Sequence, residues 1–419
     1  MKILQIHKYY SKSRGGGSVS AFFETKQLLE KRGHKVMTFS MQDDNNESAP
    51  EEKYFAHHFD IRETKSFFHK LWLVPRVIYN RDAAQQLDKL LTDHKPDVAH
   101  VHNIYHYLTP SIFPVLKKHN VPIVFKLSDY HAICPNYKLF AHGKIDNSCK
   151  DKKYYKLFFN RSINNSWAES FVAMIEGYVN KRGGFYDNVD IFAAPSNFMR
   201  ELGVKYGIPR EKIAILRNVL NFSAYGGEVT KEKIFIYMGR VAQEKGLIVA
   251  IDAMAQMKKE NKLHGWKFII AGDGPQIEFL QKYVINNDVA DIVEFAGFCK
   301  KGSDKWLSLM KSASVAILPS IWYDNSPIAI SESMAFSSPV IVSDFGGTKE
   351  MVQEGGSGFV FETNNSIELA QKMQKFIDDE NLVGQMGDNA RVWVEDLNSE
   401  EKYYQTLMRI YTDLINKNV

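Results

Sequence analysis

The sequence predicts an α/β protein of two Rossmann-like domains, each a parallel sheet flanked by helices, facing one another across a cleft. Three observations carry that expectation. Short apolar runs ending in glycine or polar turns alternate with helical patterns, and such spacing means a parallel sheet with helices on both faces. The chain has 419 residues, too many for one ordinary core and suited to two domains of about 200. Near Asn218 the alternation breaks, passes through a charged stretch containing Gly226-Gly227, and starts again at Ile234. The expected domains are therefore 1–221 and 234–398, joined by a linker at 222–233. Residues 399–419 form a last helix with Tyr403, Tyr404, Leu407, Ile410 and Leu414 at helical spacing.

Composition excludes several classes. Hydrophobic residues at 44% and charged residues at 24% describe a globular enzyme rather than a disordered or fibrous chain. No apolar run approaches the roughly 18 residues of a membrane span. The opening MKILQIHKYY is too short and polar for a signal peptide, so it reads as the first strand. Three cysteines argue against a disulfide framework and fit a reducing cytoplasm. Cys134 and Cys149 have His131 and His142 nearby, but no C-x-x-C pair exists and no zinc site is expected. A net charge of +4, with no nucleic-acid motif, implies no nucleic-acid partner.

In the first domain, strand Ile3–Ile6 leads through Arg14-Gly15-Gly16-Gly17-Ser18 into a helix from Val19 to Lys31, stopped by Gly33, and then into strand Val36–Phe39. These glycines are not the dinucleotide G-x-G-x-x-G, so no NAD is expected. Residues 41 to 60 are polar and acidic and read as a loop. Two segments, 61–87 and 150–161, mix aromatics with Lys and Arg, a composition that suits peripheral contact with an anionic membrane surface. A plain packed helix is the alternative for each. Strands at 96–103 and 122–127 end in His102-Asn103 and Ser128-Asp129, and a further strand at 190–195 ends in Ser196-Asn197.

The second domain predicts strand Ile234–Met238, helix Leu247–Lys259, strand Trp266–Ala271, helix Gln276–Asn286, strand Ile292–Phe295, helix Asp304–Ser312 and strand Val315–Leu318. After a loop at 319–326, Pro327 suits the first turn of a helix, Ile328 to Phe336, with Ser326 as its cap. Val340–Val342 is the next strand. Glu332 sits mid-helix between two buried strands, where a carboxylate tends to face the crevice at their carboxyl ends. A solvated outer position is the alternative. Arg240 and Lys245 follow a strand, with Gly239 and Gly246 beside them, and offer fixed positive charge to a diphosphate. Gly272-Asp273-Gly274-Pro275 makes a tight turn after its strand.

The run Trp322-Tyr323-Asp324-Asn325-Ser326-Pro327, followed by Glu332-Ser333-Met334-Ala335 and Ser338-Pro339-Val340-Ile341, resembles the acid-x7-acid signature of retaining GT-B glycosyltransferases of family 4 (glycosyl transferases group 1). Gly239-Arg240 through Lys245-Gly246, Gly272-Asp273-Gly274-Pro275 and Gly346-Gly347-Thr348-Lys349-Glu350 resemble further motifs of that family. So does Asp129-Tyr130 with Cys134-Pro135-Asn136, and Asn218-Val219-Leu220-Asn221 resembles the close of its first domain. Asp324 stands where Glu is usual, Ser338 and Val219 replace glycines, and Ser128 replaces a histidine beside the reacting sugar.

The resemblance implies a GT-B fold whose last helix crosses back to the first domain. It implies transfer of a sugar from a nucleotide sugar, a UDP-sugar first, to a saccharide or lipid-linked acceptor in cell-surface polysaccharide or glycolipid synthesis. The expected setting is the cytoplasm, at the inner face of the cell membrane. Catalytic roles fall on Asp129, Arg240, Lys245, Asp324 and Glu332. Glu332 would hold ribose hydroxyls, Asp324 the transferred sugar, and Arg240 with Lys245 the diphosphate. Donor binding adds Gly16, Gly17, Gly239, Gly272, Gly274, Asn325, Ser326, Pro327 and Gly347, the last through N–H groups at a helix N-terminus. Acceptor-side candidates are His102, Asn103, Ser128 and His131. No cofactor and no metal are expected, because basic side chains and a helix dipole do the metal's work. Rival readings are an inactive sugar-nucleotide-binding or scaffolding protein, a GT-B epimerase, or a phosphorylase, which would need a pyridoxal-phosphate lysine.

Overall fold

The computed structural model describes residues 1–14, 16–59, 67–227 and 229–417, without the side chains at 14 and 67–71. Gly15 of the glycine loop, the first six residues of the 61–87 segment and Glu228 of the expected linker lie outside the described residues. The chain divides into two units, Met1–Val219 with Glu400–Val419, and Leu220–Ser399.

The first unit holds β1 (Lys2–Ile6), β2 (Lys35–Phe39), β3 (Val98–Val101), β4 (Ile123–Lys126), a small hairpin of β5 (Phe140–Ala141) and β6 (Lys144–Ile145), β7 (Ile191–Ala194) and β8 (Ile213–Ile215). Its helices are α1 (Gly17–Lys31), α2 (Phe67–Ile78), α3 (Arg81–Asp93), α4 (Ile112–Lys118), α5 (Tyr155–Phe159), α6 (Trp167–Gly183) and α7 (Asn197–Lys205). Six strands form one sheet in the order β2-β1-β3-β4-β7-β8, parallel throughout. β3 and β4 are buried at every position, as a sheet covered on both faces requires. The C-terminal helix Glu400–Lys417 belongs to this unit and buries Tyr403, Leu407, Ile410, Tyr411 and Leu414. Each such side chain contributes roughly 1.5–3 kcal/mol on burial. Its polar tips are satisfied, with Tyr403 Oη 2.8 Å from Thr25 Oγ1 and Tyr411 Oη 2.7 Å from His100 Nδ1.

The second unit contains β9 (Glu232–Met238), β10 (Lys267–Ala271), β11 (Val293–Gly297), β12 (Ala313–Leu318), β13 (Val340–Ser343) and β14 (Gly358–Phe361). With them are α8 (Leu247–Lys259), α9 (Ile277–Asn286), α10 (Asp304–Ser312), α11 (Ile328–Ala335), α12 (Ser366–Asp378) and α13 (Asn381–Leu397). The sheet order is β11-β10-β9-β12-β13-β14, again all parallel. That order reverses direction between β9 and β12, and in such sheets ligands bind beyond the strands' carboxyl ends at the reversal. In the first unit the corresponding point lies between β1 and β3.

Three expectations need correction. The stretch 222–233 is not a loose linker but part of the second unit. Tyr225 is buried against Trp306 and Phe336, and Lys231 Nζ donates to the carbonyls of Ala313 and Phe336 and to Ser338 Oγ at 2.6–2.9 Å. Ser338, which stands where the family motif has glycine, thus gains a structural partner. Pro327, not Ser326, occupies the cap position of α11. Cys134 and Cys149 form a disulfide, because the β5–β6 hairpin folds the intervening chain back and brings their Cα atoms to 5.5 Å. His142 takes no part there; its Nε2 lies 2.6 Å from the Asn160 carbonyl. Among the described residues, no helix is long and apolar enough to cross a membrane.

Candidate active site

In the second unit the site is built by loops that clamp one another through backbone. Gly239-Arg240-Val241 leaves β9, and Gly272-Asp273-Gly274 leaves β10. The two loops run side by side, Gly239 N donating to Ala271 O and Val241 N to Asp273 O, both at 2.9 Å. A Cβ on Gly272 would overlap the Gly239 carbonyl, and one on Gly274 the Val241 carbonyl, so these positions demand glycine for close approach. Tyr237 Oη donates to the Arg240 carbonyl at 2.7 Å and fixes the turn from which the exposed Arg240 side chain leaves. Gly272 and Gly274 therefore brace the Arg240 loop.

Lys245 is placed by a second clamp. Gly246 adopts φ +63, and a Cβ there would run into the Pro319 carbonyl, while Ile321 N donates to Glu244 O at 3.0 Å. The α8 entry is thereby locked to the loop after β12. Lys245 Nζ meets Asp324 Oδ2 at 2.5 Å and stands 5.1 Å from the centre of the Trp322 ring. Asp324 is 6% exposed and also accepts from Ser320 Oγ at 3.0 Å. Its own backbone bridges Gly346, and Gly347 N donates to the Asp324 carbonyl at 2.7 Å. Gly347 was expected to offer that N–H to phosphate; here it is already committed. The helix after it, Thr348–Met351, is a single 3-10 turn.

Glu332 lies on α11 and is 6% exposed, which removes the solvated alternative. Its Oε1 pairs with Lys301 Nζ at 2.8 Å and accepts from Tyr225 Oη at 3.3 Å. Neither partner was foreseen, because both come from segments distant in sequence. Asn325 is buried, and Ser326 and Pro327 are half-buried, on the chain between Asp324 and α11.

In the first unit, candidates gather at the ends of β1, β3 and β4. Half-buried Asp129 accepts from Asn103 Nδ2 at 3.0 Å and from the His131 backbone N–H at 2.9 Å, with Ser128 half-buried beside it. Burial pushes its carboxyl up, an effect only partly countered by His131 and Lys8. His131 is almost wholly buried, with Nε2 2.9 Å from Glu176 Oε1 and its ring stacked on Tyr105 at 4.8 Å. His102 is fully enclosed, stacked on His100 at 4.4 Å and edged by Phe22 and His7. Gly16, at φ +87 and ψ 153, caps α1, a conformation open essentially to glycine alone; Gly17 begins the helix.

The buried histidines make a pH prediction. Burial, then Lys8, holds His7 down to about 3, and burial, then Lys126, does the same to His100. In the unfolded chain each titrates near about 6.5. The unfolded state therefore takes up protons first as pH falls, and stability present above 6.5 is lost progressively towards 3. At pH 5.5 the loss is about 1.4 kcal/mol per histidine, whatever the folded value, provided it lies well below 5.5. Thermal unfolding should fall steeply from pH 7.5 to 5.5; a flat profile would contradict the buried neutral pair.

The family model described as Glycosyltransferase Family 4 matches residues 15–223, and that described as Glycosyl transferases group 1 matches 221–393. Alpha-D-kanosaminyltransferase of Streptomyces kanamyceticus is 30% identical over 158 residues, 38% of this chain and 39% of that protein. Alpha-monoglucosyldiacylglycerol synthase of Acholeplasma laidlawii is 22% identical over 96% of this chain and 94% of its own. The chain spans about two fifths of the length of several curated relatives that it matches, 39% to 44%. Anabaena Alr3699/HepE, solved in complex with UDP and glucose, is similar in fold at a TM-score of 0.67 and 16% identity, over 99% of this chain and 100% of that one. With two parallel-sheet units of GT-B type and family models that together take in residues 15–393, the chain belongs to glycosyltransferase family 4.

Proposed function

We propose that the chain is a retaining glycosyltransferase that moves a sugar from a nucleotide diphosphate sugar to a hydroxyl of a saccharide or lipid-linked saccharide. The observation that carries this reading is the Lys245–Asp324 pair, with the exposed Arg240 on the loop that leaves β9, in a sheet whose order reverses between β9 and β12. An arriving diphosphate competes for Lys245, releases Asp324 to the sugar hydroxyls, and meets Arg240 bidentately. When the sugar–phosphate bond breaks, negative charge grows on the leaving phosphate, and fixed cations stabilise it there in place of a metal. The departing phosphate oxygen takes the proton of the incoming hydroxyl as the new bond forms on the same face. In the first unit, Asp129, held by Asn103 and the His131 N–H, is the candidate for orienting the acceptor. UDP is the first donor base to try, supported by the ligand of the Anabaena neighbour. The test is a thermal-shift screen of UDP-, GDP- and ADP-sugars, followed by transfer and hydrolysis assays. Binding without turnover across saccharide and lipid acceptors would favour an inactive binding protein.

The same reading places the enzyme at the cytoplasmic face of the cell membrane, within polysaccharide or glycolipid synthesis. Phe159, Trp167 and Phe171 are 67%, 50% and 49% exposed and gather around Phe158 on α5 and α6, with Arg161 over the Trp167 ring. On α2, Trp72 is 74% exposed. The patch extends the basic–aromatic segment 150–161 into α6, and suits aromatics among headgroups with cations on anionic lipid. Affinity for phosphatidylglycerol vesicles, read by co-sedimentation, should fall at least tenfold in Trp167→Ser/Phe171→Ser, since burying the exposed half of each ring contributes roughly 1 kcal/mol. Equal sedimentation of variant and parent would remove this surface from the proposal.

A further inference from the structure

Three side chains from separate segments of the first unit converge without having been foreseen as a group: His106 after β3, His131 after β4, and Glu176 on α6. One ligand atom of each lies within 4.8 Å of the others. His131 Nε2 is 2.9 Å from Glu176 Oε1, and His106 Nδ1 is 3.8 Å from Glu176 Oε2. Glu176 and His131 are 1% and 4% exposed, and neither Glu176 Oε2 nor His131 Nε2 has a partner in hydrogen-bond geometry. Glu176 Oε2 and His131 Nε2 are thus buried at a shared space without an aligned hydrogen bond, although Glu176 Oε1 lies within ion-pair distance of His131. A buried carboxylate left so costs free energy unless something else meets it.

We propose that His106, His131 and Glu176 form a binding site for a divalent first-row transition-metal ion, zinc by preference. Two imidazoles and one carboxylate are the donor set zinc accepts with a fourth position open. Tetrahedral bonds of about 2.1 Å set ligand atoms about 3.4 Å apart. The observed separations of 2.9 and 3.8 Å straddle that spacing. The longest, within 4.8 Å, closes by a small turn of His106, the most exposed of the three. The outer shell is also present. His131 Nδ1 stands 3.2 Å from Tyr186 Oη, which fixes the ring so that Nε2 is the ligand atom. A cavity of about 160 Å³, lined by His131, Tyr154, Asn180 and Tyr186 among others, adjoins the group and gives room for a coordinated water.

The ion would pin α6 to the loop that carries Asp129, two residues from His131, whose backbone N–H that carboxylate accepts. It lies in the first unit, whereas Arg240 and Lys245 lie in the second.

The test uses untagged full-length protein, stripped with chelator, dialysed, and titrated with Zn²⁺ or Co²⁺. One zinc per chain should survive gel filtration, cobalt should give visible d–d bands, and zinc should raise the unfolding temperature. Glu176→Gln and His106→Gln should each weaken binding at least tenfold and alter the cobalt spectrum. His106 is partly exposed, so its variant keeps the test open should Glu176→Gln fail to fold. The proposal is overturned if stripped protein takes up no zinc at micromolar concentrations, or if uptake is the same in the folded variants, which would place the ion on other histidines.

Discussion

Lys245→Ala is expected to lower kcat/KM for sugar transfer by about 10²–10³, the cost of removing one preorganised charge from a developing anion. It should also lower the unfolding temperature, for a reason visible in the geometry. Lys245 and Asp324 have side chains only 16% and 9% exposed, so the lysine cannot leave without stranding a buried carboxylate on Ser320 Oγ alone. Breaking one side of such a pair costs more than the pair is worth, here about 1–3 kcal/mol. In a unit of this size that is about 2–4 °C per kcal/mol. Adding Asp324→Asn to Lys245→Ala removes the stranded charge and should recover most of the lost stability while recovering no activity. That separation of stability from turnover is the diagnostic result. Activity within threefold of the parent in a folded Lys245→Ala enzyme would show that the diphosphate does not use this cation.

The second unit was legible because its chemistry is written locally. Each strand, glycine turn and helix start falls within a dozen residues, so Gly239-Arg240, Gly272-Asp273-Gly274 and the 322–336 run could be placed on elements before any contact was known. α8 and α10 match the sequence reading at both ends. What could not be read was what those motifs touch. The partners of Glu332 are Tyr225, 107 residues away, and Lys301. Gly347 looked like a phosphate-binding N–H until Asp324 took it.

The first unit hides more. α3, α4, α6 and α7 went unread; α6 mixes Trp167, Phe171, Tyr178 and charged residues around its surface and shows no clean apolar stripe. Glu176 therefore carried no signal, and its meeting with His106 and His131 is a property of packing alone. The disulfide was missed for the same reason: spacing in sequence says nothing of the hairpin that closes it.

Glu332 supplies the complementary case. Its partner Lys301 keeps 41% of its side chain exposed and can turn to water when the carboxylate goes, and a glutamine oxygen can still accept from Tyr225. Glu332→Gln should therefore leave the unfolding temperature within about 4 °C, since pairs with an exposed member contribute at most about 1 kcal/mol. If Glu332 holds the ribose hydroxyls, the variant should raise the donor KM about 10- to 100-fold with a smaller change in kcat, because ribose contacts are made equally in the ground and transition states. Lys301→Met is the control. It leaves Glu332 buried with one fewer partner, so it should cost stability yet leave the donor KM near that of the parent. A structural carboxylate would behave otherwise: both substitutions would then lower the unfolding temperature together, and neither would move the donor KM. Measuring the two variants side by side, by thermal unfolding and by initial rates against donor concentration, decides whether α11 presents an acid to the nucleotide or merely anchors Lys301.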